Sequence, residues 1–305
     1  MNSRHKTLIV LTGPTAVGKT ELCIDIAQTL DTEIISADSR QIFRELKIGT
    51  AAPTREQLQK VPHHFIGTRS VYEYYTAGIF EMEALEVIRE IFAKKDQVVL
   101  TGGSGLYIHA VCHGIDALPK VDPEVRENLL EKYKQEGLTG IRQRLRILDP
   151  ASYEQVDLKN PKRILKALEI TLTTGKPYSS FLTRQKKDRP FHILKIGLNR
   201  ERQELYDRIN RRVDQMIQEG LVEEARQFQG KTHLNALNTV GYKELFSYFN
   251  GQISFEEAVR LIKRNTRRYA KRQLTWFSRD PDIHWYHPDQ KDQIMELIEN
   301  QRLPF

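Results

Sequence analysis

Residues 7–20 read TLIVLT followed by GPTAVGKT, and this pair of segments decides the fold. The first six are a short apolar run rich in branched side chains, the composition of a strand buried on both faces of a parallel sheet. The next eight fit the spacing G-x-x-x-x-G-K-S/T of a phosphate-binding loop. Gly13 and Gly18 let the backbone curl so that successive N–H groups converge on one anion. Pro14, Thr15, Ala16 and Val17 supply the turn between them; Lys19 is placed to reach phosphate oxygens and the Thr20 hydroxyl to ligate Mg²⁺. Residues 21–30 then set Leu22, Ile26 and Leu30 on one helical face. The loop therefore joins a strand to a helix, whose N-terminus adds partial positive charge. A phosphorylated ligand is expected.

Working outward, residues 33–37 (EIISA) read as a second buried strand, ended by Asp38. Residues 97–100 (QVVL) are a third, followed by Thr101, Gly102 and Gly103, and residues 191–198 another, with a helix at about 76–94. Strands alternating with helices predict an α/β fold with a parallel sheet. Residues 117–187 change character: they are charged and helical (122–135, 139–148, 161–174), with Asn160-Pro161 as cap and first helical residue. After residue 199 the chain reads as helices at 201–219, 221–228, 242–249 and 255–277. The expected architecture is a P-loop NTPase-like parallel sheet flanked by helices. Residues 1–116 plus 190–305 form its core and 117–189 a helical insertion domain.

The chain has 305 residues, 47 Lys+Arg against 40 Asp+Glu and a net charge of +7, which favours a polyanionic partner. No apolar run approaches the ~18 residues of a membrane helix, and the N-terminus has no signal-peptide pattern. Cys23 and Cys112 are the only cysteines, too few for a disulfide framework or a zinc site; a cytoplasmic protein is expected. His63-His64 lacks the spacing of a helical metal pair and reads as local packing.

An ATPase or GTPase needs an acid at a strand end to hold Mg²⁺ and a residue to position water. The strand at 97–100 ends instead in Thr-Gly-Gly, and Asp38 is the one strand-ending acid. Asp38 fits a substrate-binding or base-like acid as in small P-loop kinases; its structural alternative is a cap for the segment that follows. Arg208 and Arg212 share a helical face with Arg211 beside them; the alternative for these is pairing with Glu204 and Asp207. From 260 to 279 there are eight basic residues and no acidic one: Arg260, Lys263, Arg264, Arg267, Arg268, Lys271, Arg272 and Arg279. At 100° per residue they fall within about half the circumference. Such a surface reads as phosphate-binding, with Ile262, Tyr269 and Trp276 as the opposite, core stripe. Trp285 and Phe277 likewise read as core.

In order along the chain, GPTAVGKT, IISADSRQIFRELKIGTAAP, PHHFIG, TGGSGLYIHA, DPEVRENL, NPKRILKALEI, RINRRVDQMIQEGLVEEA, TVGYKEL and TRRYAKRQLTWF resemble the bacterial tRNA dimethylallyltransferases over about residues 7–285. The resemblance implies transfer of a dimethylallyl group from dimethylallyl diphosphate to N6 of adenosine 37, in tRNAs reading codons that start with U. It implies Asp38 as general base and the loop, Lys19 and Thr20-bound Mg²⁺ as holders of the departing pyrophosphate. Arg208 and Arg212 match arginines at the pyrophosphate, and Ser104 a hydrogen-bonding residue near the target base or its phosphate.

For tRNA binding the resemblance implies Asp38, Ser39, Arg40, Gln41, Ser104 and Arg126. It adds the run Lys162, Arg163, Ile164, Leu165, Lys166 and the run Thr239, Val240, Gly241, Tyr242, Lys243, Glu244; Arg267, Arg268 and Lys271 are expected to bind tRNA from the charge pattern of the basic face itself. The implied partner is a tRNA anticodon stem-loop, the target base being extruded from a loop at less cost than from a duplex; dimethylallyl diphosphate is the other, and a monomer is expected. A P-loop kinase or an adenylate isopentenyltransferase acting on a small acceptor is the alternative within enzymes; an RNA-binding protein with a decayed site is the alternative outside them.

Overall fold

A computed structural model describes residues 6–183 and 185–300. In chain order the regular elements begin with β1 (Thr7–Thr12), α1 (Lys19–Thr29), β2 (Ile34–Ser36), α2 (Arg55–Lys60), β3 (His63–His64), α3 (Ala77–Phe92), β4 (Gln97–Gly102) and α4 (Gly105–His113). They continue with α5 (Pro123–Leu148), α6 (Pro150–Gln155), α7 (Pro161–Thr174), β5 (His192–Leu198), α8 (Arg202–Gln218), α9 (Leu221–Arg226), α10 (Tyr242–Phe249), α11 (Phe255–Phe277), β6 (Ile283–Tyr286) and α12 (Lys291–Asn300).

The six strands form one sheet in the order β3-β2-β4-β1-β5-β6, every neighbouring pair parallel. All six residues of β1 are buried, which is why the sequence shows no polar alternation there. On one face Ile9 and Leu11 pack with Leu22, Ile26, Leu205, Ile209, Ile294 and Ile298 from α1, α8 and α12. The register fixes where function can sit: Thr12 lies opposite Gly102, and Thr101 opposite Ser36. Three strand ends thus come side by side, in the crevice where open parallel sheets bind ligands.

Among the described residues, those up to Cys112 and from Asp188 onward form one compact unit, and those between His113 and Lys187 form a second. The second has its own core of Leu129, Ile141, Leu145, Ile164, Leu165 and Leu168. Its long helix α5 is broken at Gly137 (φ 66°, ψ −163°), between the two helical segments that the sequence predicts.

Several elements escape the sequence reading. β6 is a four-residue edge strand with exposed His284 and Trp285, so it shows neither an apolar run nor alternation. α4 carries no charged side chain other than histidine and is largely buried, so it shows no amphipathic period. His63 and His64 form the short edge strand β3, bonded to the Val61 carbonyl and the Glu33 carboxylate at 2.7 and 2.6 Å, the local packing expected of them. Both cysteines are buried, and burial pushes each thiol up to about 12.

Candidate active site

The loop between β1 and α1 is held in shape by its own carbonyls. A Cβ on Gly13 would stand 2.6 Å from the Leu198 carbonyl oxygen, and its φ of +147° suits glycine alone. Lys19 Nζ donates to the Gly13 and Pro14 oxygens at 2.9 and 2.8 Å. Arg208 Nε donates to the Ala16 oxygen and Arg200 Nε to the Val17 oxygen, each at 2.8 Å. Arg212 Nη1 reaches Thr15 Oγ1 at 3.4 Å. With these carbonyls engaged from outside, and with no side chain capping α1 at Gly18, the first-turn amides of α1 are left for a ligand.

The cations here outnumber the acids. Burial, and then the neighbouring Arg212, lower the Lys19 ammonium to about 7, against a smaller raising effect of Asp38. Burial and Arg208 lower Arg212; burial and Arg200 lead the causes that lower Arg208. Neither Arg208 nor Arg212 forms an ion pair among the described residues, so the structural alternative does not hold for them. Glu204 pairs with Arg200 at 2.5 Å, and Asp207 accepts from Gln203. A site that depresses its own cations in this way is suited to an anion.

Asp38 follows β2 at the same edge. Its Oδ1 accepts the Arg40 and Gln41 amides at 2.8 and 3.2 Å, so it closes a turn rather than capping a helix. The carboxylate acts through its charge on Lys19, Arg40, Tyr107 and Tyr269. Tyr107 is pushed up to about 12, burial first, with Asp38 adding to it. Ser104 Oγ accepts the Ser39 amide at 2.9 Å and donates to Ser39 Oγ at 3.1 Å, so its hydroxyl ties the two strand-end loops together. Gln41 spends its amide donors on the Thr50 and Ala51 carbonyls, both at 3.1 Å, and holds a neighbouring loop.

Two contributors were missed. Arg200 sits at the end of β5, where a charged residue on a parallel strand end is itself a signal. Gln273, only 6% exposed, accepts the Thr15 amide and donates to the Gly103 carbonyl, both at 2.9 Å. Its signal was a polar residue on the stripe of α11 that buries Ala270 and Phe277.

The basic face of α11 differs from the expectation in three ways. Arg267 bonds Asn210 Oδ1 at 2.6 Å and lies over the Tyr206 ring, Lys263 pairs with Asp214 at 2.6 Å, and Arg260 pairs with Glu257 at 2.6 Å. The acids absent from the run come from α8 and from the first turn of α11 itself. Trp276 is not in the core stripe: it is 41% exposed and stands beside the start of α4, a Cβ on Gly105 being 2.3 Å from its indole. Trp285 is also exposed, whereas Phe277 is buried. Arg268, Lys271, Arg272, Thr275 and Arg279 surround Trp276 in an open depression of about 560 Å³ that contains no acid.

The run 239–244 is mostly interior. Tyr242 is fully buried and its hydroxyl donates to Glu224 Oε1 at 2.6 Å, while Glu224 also takes the amides of Lys47, Ile48 and Gly49. Glu244 is buried between the Gly241 amide and Asn265. Thr239 and Val240 are half-buried, and Lys243 is the exposed side chain of this run. In the helical unit, Ile164 and Leu165 belong to the core while Lys162 and Arg163 are exposed on the first turn of α7. The side chains of Tyr242, Glu244, Ile164 and Leu165 are thus turned into the interior, which leaves Lys162, Arg163 and Lys243 as the exposed side chains of these runs. Arg126 lies 3.7 Å from the buried Glu169, which also faces the half-buried Lys166.

Thr20 is half-buried on the first turn of α1. Among the described residues no group of three or more His, Cys, Asp or Glu could hold a metal ion. That donor set suits Mg²⁺ only as an ion shared with phosphate oxygens and water, its usual habit in phosphate sites.

Together these features define a P-loop protein with a cation-rich glycine loop, a strand-end carboxylate whose charge reaches its lysine, and a basic aromatic surface on α11. A family model described as IPP transferase matches residues 41–280. The tRNA dimethylallyltransferase 1 of Bacteroides thetaiotaomicron is 56% identical over 297 residues, 97% of this chain and 96% of that protein. The tRNA dimethylallyltransferase 1 of Porphyromonas gingivalis W83 is 57% identical over 299 residues, 98% of this chain and all of that protein. A crystal structure of the full-length tRNA isopentenylpyrophosphate transferase from Bacillus halodurans superposes with a TM-score of 0.70 at 36% identity, covering 97% of each chain. A eukaryotic dimethylallyltransferase captured acting on tRNA gives 0.76 at 25% identity over 93% of this chain and 74% of that one. The chain belongs to the IPP transferase family.

Proposed function

We propose that this chain transfers the dimethylallyl group of dimethylallyl diphosphate to N6 of adenosine 37 in tRNAs that read codons beginning with U. The observation that carries the reading is the cation-rich loop, with its carbonyls tied back and its lysine lowered to about 7, facing a strand-end carboxylate. A nucleoside triphosphatase needs a strand-end acid to hold Mg²⁺ and a residue to position water, and β4 ends instead in Thr101 and Gly102, with Gly103 and no acid after it. A prenyl transferase needs what is present: a grip on the leaving group and a base for the acceptor.

In the step itself, N6 attacks C1 of the allyl group as the C1–O bond breaks and its electron pair leaves with the diphosphate. Adenine N6 is a poor nucleophile because its lone pair is shared with the ring, so proton removal in the transition state matters. Asp38 is the proposed acceptor: the turn fixes Oδ1 on two amides, which orients Oδ2. The α1 amides, Lys19, Arg208 and Arg212 stabilise the charge that builds on the diphosphate. Thr20 would hold Mg²⁺, which when bound supplies further neutralisation of that charge.

The depression around Trp276 is the proposed seat for phosphates and an unpaired base of the anticodon loop, by charge and by its exposed ring. Among the described residues no helix is long and apolar enough to cross a membrane; the proposed setting is the cytoplasm, as a monomer. Labelled dimethylallyl diphosphate offered in turn with tRNA, AMP and ATP tests the reading. Label should move to tRNA as N6-isopentenyladenosine; label moving to AMP alone would overturn it.

A further inference from the structure

We propose that Gln273 is a positioning residue that sets the distance between the leaving-group cradle and the acceptor side, an inference resting on the transfer reading above. The two loops leave the paired ends of β1 and β4, and beyond the last ladder pair, Thr12 with Gly102, the Gln273 amide adds a side-chain link between them. On one side Oε1 accepts the Thr15 amide, in the middle of the phosphate loop; on the other Nε2 donates to Gly103 O. Thr15 N–H can only donate and the Gly103 carbonyl only accept, so a single orientation of the amide satisfies both.

The path continues. Gly103 precedes Ser104, whose Oγ accepts the Ser39 amide, and Ser39 follows Asp38. One run of hydrogen bonds thus joins the diphosphate cradle to the general base through Gln273. A Cβ on Gly103 would lie 2.2 Å from Gln273 Nε2, so the glycine that follows β4 makes room for this amide.

The chemistry explains why the spacing matters. An allylic carbon gripped through its diphosphate must sit in line with a nitrogen whose proton points at Asp38, and misplacement by about 1 Å can cost ~100-fold. A buried amide with both ends bonded is a stiff spacer, whereas a leucine would take the partner from the buried Gly103 carbonyl and the partly buried Thr15 amide.

The test uses Gln273→Leu and Gln273→Glu in the full chain. Gln273→Leu should lower kcat ~10–100-fold while KM for dimethylallyl diphosphate changes less than about threefold. The Thr15 amide should exchange with deuterium faster. Ionised glutamate keeps the acceptor for Thr15 but faces the Gly103 carbonyl with a second acceptor; protonated, it restores the donor. The ratio of Gln273→Glu to wild-type kcat should therefore rise as pH falls, a trend that lost packing would not produce. Should the leucine variant fail to fold, this ratio still decides, and a flat one overturns the proposal. So does wild-type kcat in Gln273→Leu, or unchanged Thr15 exchange in a folded variant. Wild-type protein that transfers no prenyl group to tRNA sinks the transfer reading instead, and leaves the exchange of Thr15 to judge the bridge.

Discussion

Lys19 offers the sharpest test of the idea that the loop waits for a diphosphate. In the free site its ammonium is lowered to about 7, through burial first and Arg212 second. Half of the lysine is then neutral at pH 7 and about 99% at pH 9. A diphosphate placing one negative charge ~4 Å away contributes roughly 4 kcal/mol at an effective dielectric of ~20, or about three pK units. Binding should thus return Lys19 to near its ordinary value. The sign follows: free protein favours neutral lysine, bound protein favours charged lysine, so affinity is greatest at or below pH 7 and falls as pH rises. Between pH 7 and 9 the fall should be ~50-fold, with ~0.9 proton taken up per site at pH 8. The assay is calorimetric titration with an unreactive thio-analogue of dimethylallyl diphosphate, repeated in buffers of different ionisation enthalpy. The ligand's own last proton leaves near pH ~6, as in other phosphate monoesters, and does not interfere. Lys19→Gln should bind more weakly with no such pH slope. Wild-type affinity that is flat from pH 7 to 9, with no proton uptake, would refute the reasoning, because Lys19 would then be fully charged before the ligand arrives.

Other consequences are quicker to state. Asp38→Asn keeps an oxygen for the Arg40 and Gln41 amides but cannot take a proton, so single-turnover transfer should drop ~100-fold or more while tRNA affinity by filter binding stays within a few-fold; wild-type turnover would remove Asp38 as the base. Arg268→Gln with Lys271→Gln should flatten the log–log salt dependence of tRNA binding by about 1.5, whereas Lys263→Gln should change the slope far less because Lys263 is already paired with Asp214. Tyr242→Phe should cost about 1.5 kcal/mol in urea unfolding, through the lost bond to Glu224, without changing the salt slope; weakened RNA binding at full stability would return Tyr242 to the interface.

What could be read beforehand followed from which signals are local. The strand at 7–12, the loop after it and the helix beyond are written in consecutive residues, so the centre of the sheet and the anion cradle were legible. The relation of Arg208 to Ala16, or of Gln273 to Thr15 and Gly103, spans separations of 192, 258 and 170 residues, and no periodicity encodes it. Composition misled at α11 for the same reason. Absence of acids within residues 260–279 suggested a bare phosphate surface, yet Asp214 arrives from α8 and neutralises part of it. Trp276 was assigned by the helical wheel to the core; a wheel counts angles, and cannot know that α4 begins beside this ring and leaves one side of it open.

These corrections alter how α11 should be thought of. Its N-terminal half, with Lys263 and Arg267 tied to α8, serves to anchor the helix that carries Arg208 and Arg212. Its C-terminal half presents Arg268, Lys271, Arg272 and Arg279 around Trp276. Between the two, Gln273 turns inward to the phosphate loop, only three residues before the exposed indole. One helix therefore carries both the surface proposed for RNA and the spacer proposed for the reacting groups. A nucleic acid docked on that surface need not signal to the catalytic loops, because the element it grips is the one that already fixes their separation.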